Sequence, residues 1–381
     1  MKTGVPTQFA KATKEYEAWL AHWMPLFFRE DLKYKHTRMK EGPFPFLRAT
    51  FYRWAQRWPQ LCPKLAKAPS VLAVGDIHVQ NYGTWRDSEG RLAWGVNDFD
   101  DAWVIPYTSD LVRLATSAEL AEGVNLRMKD ICGAILAGYK KGIREENPRP
   151  FVLAERNGGL RRLSIERLRL DPVTYWAKRE ANLTSFKGAL PDGARQLFAV
   201  SMPEGLSFSP RRRVAGLGSL GRPRFVALAD WKGGRVAREV KALAPSSWLW
   251  ANPNAWTNSA PVLYTNIVSE AVRCPDPALS IAGDWVVRRL APDSDCIDLS
   301  GLIVTGNSAN GKGAKKRRRE EDLLLLRSMG HELAHIHRGS QWALKAVRKD
   351  LENRRSGWLV RTADRMLDAT VQDFKKWKKV G

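Results

Sequence analysis

Six polar side chains that could hold a metal ion or move a proton lie close together in residues 71–103. That stretch reads VLAVGDIHVQNYGTWRDSEGRLAWGVNDFDDAW, and the side chains are those of Asp76, His78, Asn81, Asp98, Asp100 and Asp101. Phosphoryl transfer needs one carboxylate that orients and deprotonates the attacking hydroxyl. It also needs further oxygen ligands that hold Mg²⁺ against the phosphates. Metal-assisted phosphoryl transfer is therefore the chemistry that these residue types favour.

The spacing of these residues assigns a role to four of them. In a protein-kinase catalytic loop an Asp acts as base, and an Asn five residues later binds the metal together with the Asp of a later Asp-Phe-Gly. Asp76 and Asn81 have this spacing, and Asp98 begins an Asp-Phe-Asp triplet that ends at Asp100. We predict Asp76 as the catalytic base and Asn81, Asp98 and Asp100 as magnesium ligands. The alternative is a set of turns around a hairpin, since turns favour the same residue types.

A glycine-rich turn between two strand-like segments could bind the phosphates of ATP. Residues 213–243 read RVAGLGSLGRPRFVALADWKGGRVAREVKAL, in which GxGxxG precedes Pro and a Val- and Phe-containing run. This favours a second strand over the helix of a Rossmann domain. In a hairpin of this kind the backbone N–H groups can approach an anion, because glycine has no Cβ. The residues predicted to hold ATP are Gly216, Gly218, Ser219, Gly221, the strand residue Lys241, and Glu270 as the partner of that lysine. A glycine-rich surface hairpin with a strand lysine is the alternative.

The charge balance predicts an anionic partner. The chain has 62 Lys and Arg against 40 Asp and Glu, a formal net charge of +22, which favours nucleotide phosphates, nucleic acid or an acidic protein. Its densest basic run, residues 315–319, follows a Gly/Asn/Ser-rich tract at 306–314, which is typical of a flexible surface loop. A specific phosphate or nucleic-acid contact by this run is the alternative. Arg48, Arg288 and Arg289 are weaker candidates for anion contacts.

Secretion and membrane insertion are not indicated. The four cysteines are scattered without a CxxC pair, which argues against a disulfide framework and against a thiolate zinc site. The N-terminal residues lack the apolar segment of a secretory signal. No apolar run approaches the roughly 18 residues that a membrane span needs. We therefore expect a cytoplasmic protein with no membrane span.

Two further motifs have the spelling of known sites but lack a required part. Residues 331–335 read HExxH, which on a helix places His331 and His335 on one face with Glu332 as a possible base. No metzincin-type third His follows, so we expect no zinc there. Residues 306–313 fit GxxxxGK but lack the final Ser or Thr that binds magnesium in a P-loop, which favours a flexible loop.

The periodicity of the apolar residues predicts three consecutive parts. Amphipathic spacing predicts helices near both ends of the chain. Short strands are predicted at VLAVGD, which runs into a polar loop, and at RLAWGVNDFD, with the turn-rich RDSEG between them. A strand-rich middle includes a KGGR hairpin turn and the strand DWVVRRL. We predict residues 1–148 as a helical lobe with the catalytic and metal loops. Residues 149–300 would form a β-rich nucleotide-binding lobe, and residues 301–381 would be helices that complete the first lobe.

The wording of the motifs also resembles known families. GDIHVQN and NDFDDA resemble aminoglycoside and choline phosphotransferases, which carry a GDxHxxN loop and an Asp-Phe-Asp metal motif. The chain more closely resembles an uncharacterised bacterial family, domain of unknown function 2252, at FPFLRATFYRW, GDIHVQNYG, VNDFDDAW, SDLVRLATS, GLGSLGRPRFV, VKAL, VVRRL and LAHIHRGS. This resemblance implies a kinase-like fold and reaction class and gives no substrate. The resemblance to aminoglycoside and choline phosphotransferases implies that Asp110 braces the catalytic loop. The resemblance to the bacterial family makes His337-Arg338 the recurring part of the HExxH helix. The chain departs from the family wording after the metal loop and in residues 151–210.

The order of the motifs predicts a rearranged fold. In kinase-like enzymes the glycine-rich hairpin and the strand lysine come first, whereas here Asp76 and Asp98 precede Gly216 and Lys241. A single site therefore requires a circularly permuted, two-lobed α+β fold of the protein-kinase type. We expect an ATP- and Mg²⁺-dependent phosphotransferase with an unknown phosphoryl acceptor. The alternatives are a nucleotide-binding protein that is inactive or transfers AMP, and a basic nucleic-acid-binding protein.

Overall fold

Helices and small antiparallel sheets are mixed along the chain. The computed structural model describes residues 9–24, 26–153, 156–167, 171–252, 261–296 and 312–379. The mixed helix and strand content predicted from the sequence is confirmed in these ranges. Within them, none of the helices combines the length and the apolar character that crossing a membrane requires.

Most of the described residues are helical. The α-helices are α1 (Phe9–Trp23), α2 (Arg29–Arg38), α3 (Pro43–Ala49), α4 (Phe51–Leu61), α5 (Tyr107–Leu120), α6 (Met128–Arg144), α7 (Gly158–Arg167), α8 (Pro172–Ala181), α9 (Asp192–Ser201), α10 (Ser247–Ala251), α11 (Tyr264–Glu270), α12 (Lys312–His337), α13 (Leu344–Glu352) and α14 (Trp358–Lys378). Phe51, Trp54 and Trp58 of α4 recur at helical spacing and pack in one hydrophobic cluster, while Tyr52 packs in a second cluster. One apolar face of this kind is what fixes a helix on a core.

The strands form three antiparallel sheets in the described residues. The strands are β1 (Ser70–Ala73), β2 (Tyr82–Arg86), β3 (Leu92–Val96), β4 (Trp103–Pro106), β5 (Leu183–Thr184), β6 (Arg211–Arg213), β7 (Arg224–Trp231), β8 (Gly234–Ala242), β9 (Ser280–Ala282) and β10 (Trp285–Leu290). Two sheets have two strands each, β1 with β4 and β2 with β3. The third has six strands in the order β5-β6-β7-β8-β10-β9. The acidic motifs therefore border the small sheets, and the glycine-rich turn belongs to the large one.

Local strand predictions were right for the large sheet and partly wrong for the small ones. The predicted turn KGGR joins β7 to β8, with Lys232 and Gly233 both at positive φ (46° and 84°), which is the backbone of a type I′ turn. The predicted turn RDSEG joins β2 to β3 and not β1 to its partner. Strand β2, which the prediction left inside a polar loop, pairs residue for residue with β3, and β1 pairs instead with β4.

Two hydrophobic clusters hold these elements together. The larger cluster joins α3–α6, the small sheets and α12–α14, with Trp58, Trp94 and Tyr139 almost fully buried in it. The second cluster packs α1 and part of α3, α4 and α9 against the six-stranded sheet, through residues such as Phe225 and Val240. Fully burying an apolar side chain of this size stabilises the fold by roughly 1.5–3 kcal/mol. Helix α1, which the prediction placed in the helical lobe of residues 1–148, thus packs in the second cluster against the six-stranded sheet.

Candidate functional site

The loop that carries Asp76 is held in place by a buried carboxylate on α5. Asp110 accepts hydrogen bonds from the backbone N–H groups of Val74 (2.8 Å) and Gly75 (3.1 Å). The Nε2 atom of His337, at the end of α12, lies 3.2 Å from the same carboxylate, and both side chains are fully buried. These contacts fix the backbone directly before Asp76.

Asp76 itself faces a pocket beside an arginine that the sequence interpretation missed. Arg113 of α5 donates to Asp76 Oδ1 through Nε (3.1 Å) and through Nη2, and Nη2 also donates to the carbonyl of Leu47 (2.9 Å). Burial raises the pKa of Asp76 to about 7, although the charge of Arg113 lowers it. A carboxylate with a pKa near neutrality is suited to accept a proton from a hydroxyl. The available sequence signal was that Arg113 follows Asp110 by three positions and so lies on the same face of α5.

Asn81 ends a short 3₁₀ turn that its own side chain helps to close. Its Oδ1 accepts a hydrogen bond from the backbone N–H of His78 (2.7 Å), and His78 Nδ1 accepts one from the N–H of Gln80 (3.2 Å). The backbone carbonyl of Asn81 accepts a hydrogen bond from Asn97 at the end of β3. An amide oxygen has two lone pairs, so Oδ1 keeps one for a cation.

Asp98 and Asp100 follow β3 and meet the predicted strand lysine. The Nζ atom of Lys241 lies 3.4 Å from Asp98 Oδ1 and 2.5 Å from Asp100 Oδ1. Burial alone would raise the pKa of Asp98, but the charges of Lys241 and Arg288 hold it below its usual range. Burial and the adjacent charge of Asp98 raise the pKa of Asp100. Carboxylate oxygens in this arrangement are ligands that Mg²⁺ prefers, and the ammonium group offsets part of their charge.

The glycine-rich turn lies directly over Asp76. A Cβ atom on Gly218 would stand 3.0 Å from the carbonyl oxygen of Arg48 and 3.2 Å from Asp76 Oδ2, so the close approach favours glycine. Gly216 has φ 77°, and Ser219 donates its hydroxyl to the Gly216 carbonyl (3.1 Å). The turn therefore brings the backbone of Gly218 close to the carboxylate predicted as base.

Gly221 and Glu270, which were also predicted to hold ATP, do not lie beside Asp76 or Lys241. The carbonyl of Gly221 accepts a hydrogen bond from the N–H of Phe28, and an added Cβ would stand 2.8 Å from the Phe27 ring, so this glycine has a packing role. Glu270 is exposed at the end of α11 and its backbone contacts Gly339. The predicted pair of Glu270 with Lys241 is therefore wrong, because the two aspartates take the lysine instead.

A buried cluster of three arginines surrounds Glu239 on β8, the strand that carries the lysine, and the sequence analysis predicted only Arg288 among them. Glu239, two residues before Lys241 on β8, binds Arg224 (2.7 Å), Arg288 (2.8 Å) and Arg213. Burial would raise the pKa of Glu239, but the three guanidinium groups hold it well below its usual range. Three positive charges share one carboxylate, so the cluster keeps a positive excess. The available sequence signal was the alternation of side chains along a strand, which places Glu239 and Lys241 on one face of β8. Arg288 of β10 is paired with Glu239 across the sheet.

These groups line one pocket. Seven of the ten predicted site residues border it: Asp76, Asn81, Asp98, Asp100, Gly216, Gly218 and Ser219. The predicted anion contacts Arg48, Arg288 and Arg289 border it too, together with Arg213 and Arg224. Lys241 adjoins the pocket through its two ion pairs. The pocket is thus lined by both carboxylates and arginines, which suits a cation bound to an anionic group.

The structure describes the basic run of residues 315–319 but only the end of the P-loop-like motif. Residues 315–319 form the start of α12 and not the flexible loop that we predicted. Arg317 pairs with Glu321 one turn later on the same helix (2.8 Å), and Arg319 pairs with Asp130 of α6 (3.3 Å). In the P-loop-like motif, residues 306–311 lie outside the described residues.

The HExxH motif does not form a peptidase-like arrangement. Glu332 is buried and turned toward β3, where Oε1 accepts a hydrogen bond from the backbone N–H of Val96 (3.3 Å). Burial raises its pKa to about 7. His331 and His335 contact each other and Glu145 instead. The carboxylate that would serve as base in a zinc peptidase is therefore directed away from the two imidazoles.

The comparison with protein families gives one match. Residues 28–157 match the model of a family described as an uncharacterized protein conserved in bacteria (DUF2252). This match confirms the resemblance to that family over about a third of the chain. It includes the loops of Asp76 and Asp98 and stops before the glycine-rich turn and Lys241. No curated protein and no solved structure matches the chain.

Proposed function

We propose that the protein is an ATP- and Mg²⁺-dependent phosphotransferase with a permuted kinase-like arrangement. The observation that carries the proposal is the meeting of two distant segments at one pocket. Gly218 stands over Asp76, and Lys241 reaches Asp98 and Asp100. The sequence motifs of each segment predicted a part in phosphoryl transfer. Two segments so far apart in the chain would not be expected to border the same pocket by chance.

Each group has a chemical task in this proposal. Asp76, oriented by Arg113, would accept the proton of the acceptor hydroxyl as the oxygen attacks phosphorus. Asp98, Asp100 and Asn81 would hold Mg²⁺, which supplies charge neutralisation at the phosphates when bound. The backbone of the glycine-rich turn and the arginine cluster would bind the phosphate oxygens. Catalysis of this kind depends mostly on positioning and electrostatic stabilisation.

The proposal is tested first by following two labels of ATP. The protein is incubated with γ-labelled or α-labelled ATP, Mg²⁺ and fractionated cell extract. Transfer of the γ-label alone supports a phosphotransferase, and transfer of the α-label shows AMP transfer. Asp98→Asn removes one ligand charge at a partly exposed side chain, so it should abolish transfer and Mg²⁺-dependent ATP binding while the protein stays folded. Asp230→Asn, the same chemical change on the exposed end of β7, is the matched control.

Unchanged ATP affinity and turnover in folded Asp98→Asn protein would contradict the assignment of Asp98 as a magnesium ligand. Loss of both activities in Asp230→Asn would show that the effect is not local to the pocket.

The nucleic-acid alternative has a separate outcome. Binding through the net charge of +22 should weaken steeply as salt increases and should need no nucleotide. It should also be the same in Asp98→Asn. A salt-dependent mobility shift with plain RNA, combined with no Mg²⁺-dependent ATP binding by the native protein, would favour this alternative over the phosphotransferase.

A further inference from the structure

A second cluster of metal-ligating side chains lies outside the lining of the phosphate pocket. Glu145, directly after α6, meets His331 and His335 of α12, and the ligand atoms of all three lie within 4.8 Å of one another. His335 is fully buried, and His331 and the Glu145 side chain are partly exposed (12% and 25%). The cluster is thus accessible to an ion from one side.

The distances within this cluster fit a tetrahedral ion. The Nε2 atoms of His331 and His335 are 3.1 Å apart. Glu145 Oε1 lies 3.0 Å from the first and Oε2 lies 2.9 Å from the second. Zinc bonds of about 2.0–2.1 Å at tetrahedral angles separate neighbouring ligand atoms by about 3.3 Å. A shift of a few tenths of an ångström would therefore place all three side chains around one ion.

The packing of α6 against α12 makes this convergence possible. A Cβ on Gly142 would stand 2.6 Å from the His331 ring and 2.9 Å from Ala334, so any larger residue would push α12 away. Gly138 and Gly330 allow the same close approach further along, where an added Cβ would collide with the opposing backbone. The i, i+4 spacing then turns both imidazoles toward the end of α6, where Glu145 follows.

We propose that Glu145, His331 and His335 form a Zn²⁺ site that joins the end of α6 to α12. Two imidazoles and one carboxylate are a ligand set that zinc accepts, with a water as the fourth ligand. The expectation of no zinc rested on the missing third ligand after His335, and the structure supplies that ligand from a residue 190 positions earlier. Because Glu332 faces β3, the site has no general base of the peptidase kind. Its role is to fix α12.

A metal ion that fixes α12 would also fix two contacts that support the loops of Asp76 and Asp98. The same helix places Glu332 against the N–H of Val96, two residues before Asp98, and places His337 against Asp110. A metal ion at the cluster would therefore hold α12 in the rotation that these contacts require. The inference is independent of the proposed activity, because zinc binding is measured without nucleotide.

The test is direct zinc binding to the full chain and to three variants. Protein stripped with a chelator is titrated with ZnCl₂, and bound metal is measured by elemental analysis after gel filtration. We expect near-equimolar zinc for the native chain, and at least tenfold weaker binding for Glu145→Gln and His331→Gln. Glu332→Gln, which changes the other acidic residue of the motif, should bind like the native chain. Cobalt in place of zinc should give a visible absorption spectrum typical of tetrahedral coordination.

Thermal denaturation completes the test. Zinc should raise the melting temperature of the native chain and of Glu332→Gln, and leave that of Glu145→Gln unchanged. Folded native protein that takes up no zinc would overturn the proposal and leave a hydrogen-bonded cluster. Equal binding by native protein and Glu145→Gln would overturn it too, as would stoichiometric iron or nickel in protein purified without added metal.

Discussion

At the scale of single residues, the pocket separates two kinds of carboxylate. Asp76 is buried beside one arginine, and its pKa is raised to about 7. Asp98 is only partly buried, with 36% of its side chain exposed. Although this burial raises its pKa, the charges of Lys241 and Arg288 hold it below the usual range. Environments that push the pKa values of neighbouring carboxylates apart assign them different tasks. Asp76 can exchange a proton near neutral pH, and Asp98 remains an anion that can hold a cation.

This difference predicts the pH dependence of the proposed activity. Asp76 is protonated below its pKa and cannot act as a base, so kcat/KM should rise with pH through about 7 and then level off. Asp98 stays ionised over the same range and should add no second step. The measurement is kcat/KM for phosphoryl transfer from about pH 5 to pH 9. Asp76→Asn should be inactive throughout, and Asp230→Asn should keep the native profile. A native profile that is flat across neutrality would contradict the role of Asp76.

At the scale of elements, the six-stranded sheet carries charge in its interior. Strands β6, β7, β8 and β10 each contribute one member of the cluster around Glu239. Removing one partner of a buried ion pair costs more than the pair contributes, because the remaining charge stays buried without compensation. The sheet therefore holds its positive groups next to the pocket only while Glu239 is ionised.

Glu239→Gln should therefore destabilise the fold by about 3–5 kcal/mol. Glu180→Gln is the matched control, because its side chain is 43% exposed and pairs with Arg211 and Arg235 at the surface. Such a surface pair contributes only about 0–1 kcal/mol. The measurement is urea denaturation at neutral pH. The folded-state pKa of Glu239 is lowered, so its stabilising contribution is present at neutral pH and is lost as pH falls below the unfolded-state pKa. Equal effects of the two substitutions would contradict the cluster's energetic role.

The sequence predicted elements well where local chemistry decides them. The turn between β7 and β8 follows from Lys232-Gly233, because glycine accepts positive φ without strain. The prediction for residues 315–319 was wrong because it extended the loop character of the preceding Gly/Asn/Ser-rich tract to them. The pairing of Arg317 with Glu321, one helical turn later, favours a helix. Partners such as Glu145 could not be predicted, since nothing local to the HExxH motif indicates a ligand 190 positions away.

At the scale of the whole molecule, the pocket belongs to neither half of the chain alone. The segment that matches the bacterial family contributes the carboxylates, and the six-stranded sheet contributes the lysine and the arginine cluster. The motif order predicted that these segments must meet, but it did not predict which arginines would. A ligand that contacts both should hold them together, and its binding free energy adds to the stability of the fold.

MgATP should therefore raise the melting temperature of the native chain. At a concentration 100-fold above Kd, the added stability is about 2.7 kcal/mol. Gly218→Ala should lose most of this shift, because the new methyl group would press on the Arg48 carbonyl and on Asp76. Gly234→Ala places its methyl group in open space and serves as the control. The measurement is a thermal denaturation series with MgATP, with ATP alone and with Mg²⁺ alone. A full shift in Gly218→Ala would contradict the proposed position of the nucleotide.

The separation of Lys241 from Asp98 has a consequence for biosynthesis. The two residues are 143 positions apart, and a ribosome adds about 5–20 residues per second. On the order of ten seconds therefore pass between the synthesis of the two acidic residues and that of the lysine that pairs with them. During this interval the emerging chain presents the carboxylates without the strand that neutralises them. If the proposed function is right, phosphate binding should begin only when β8 has joined the sheet, after both segments of the pocket have been synthesised.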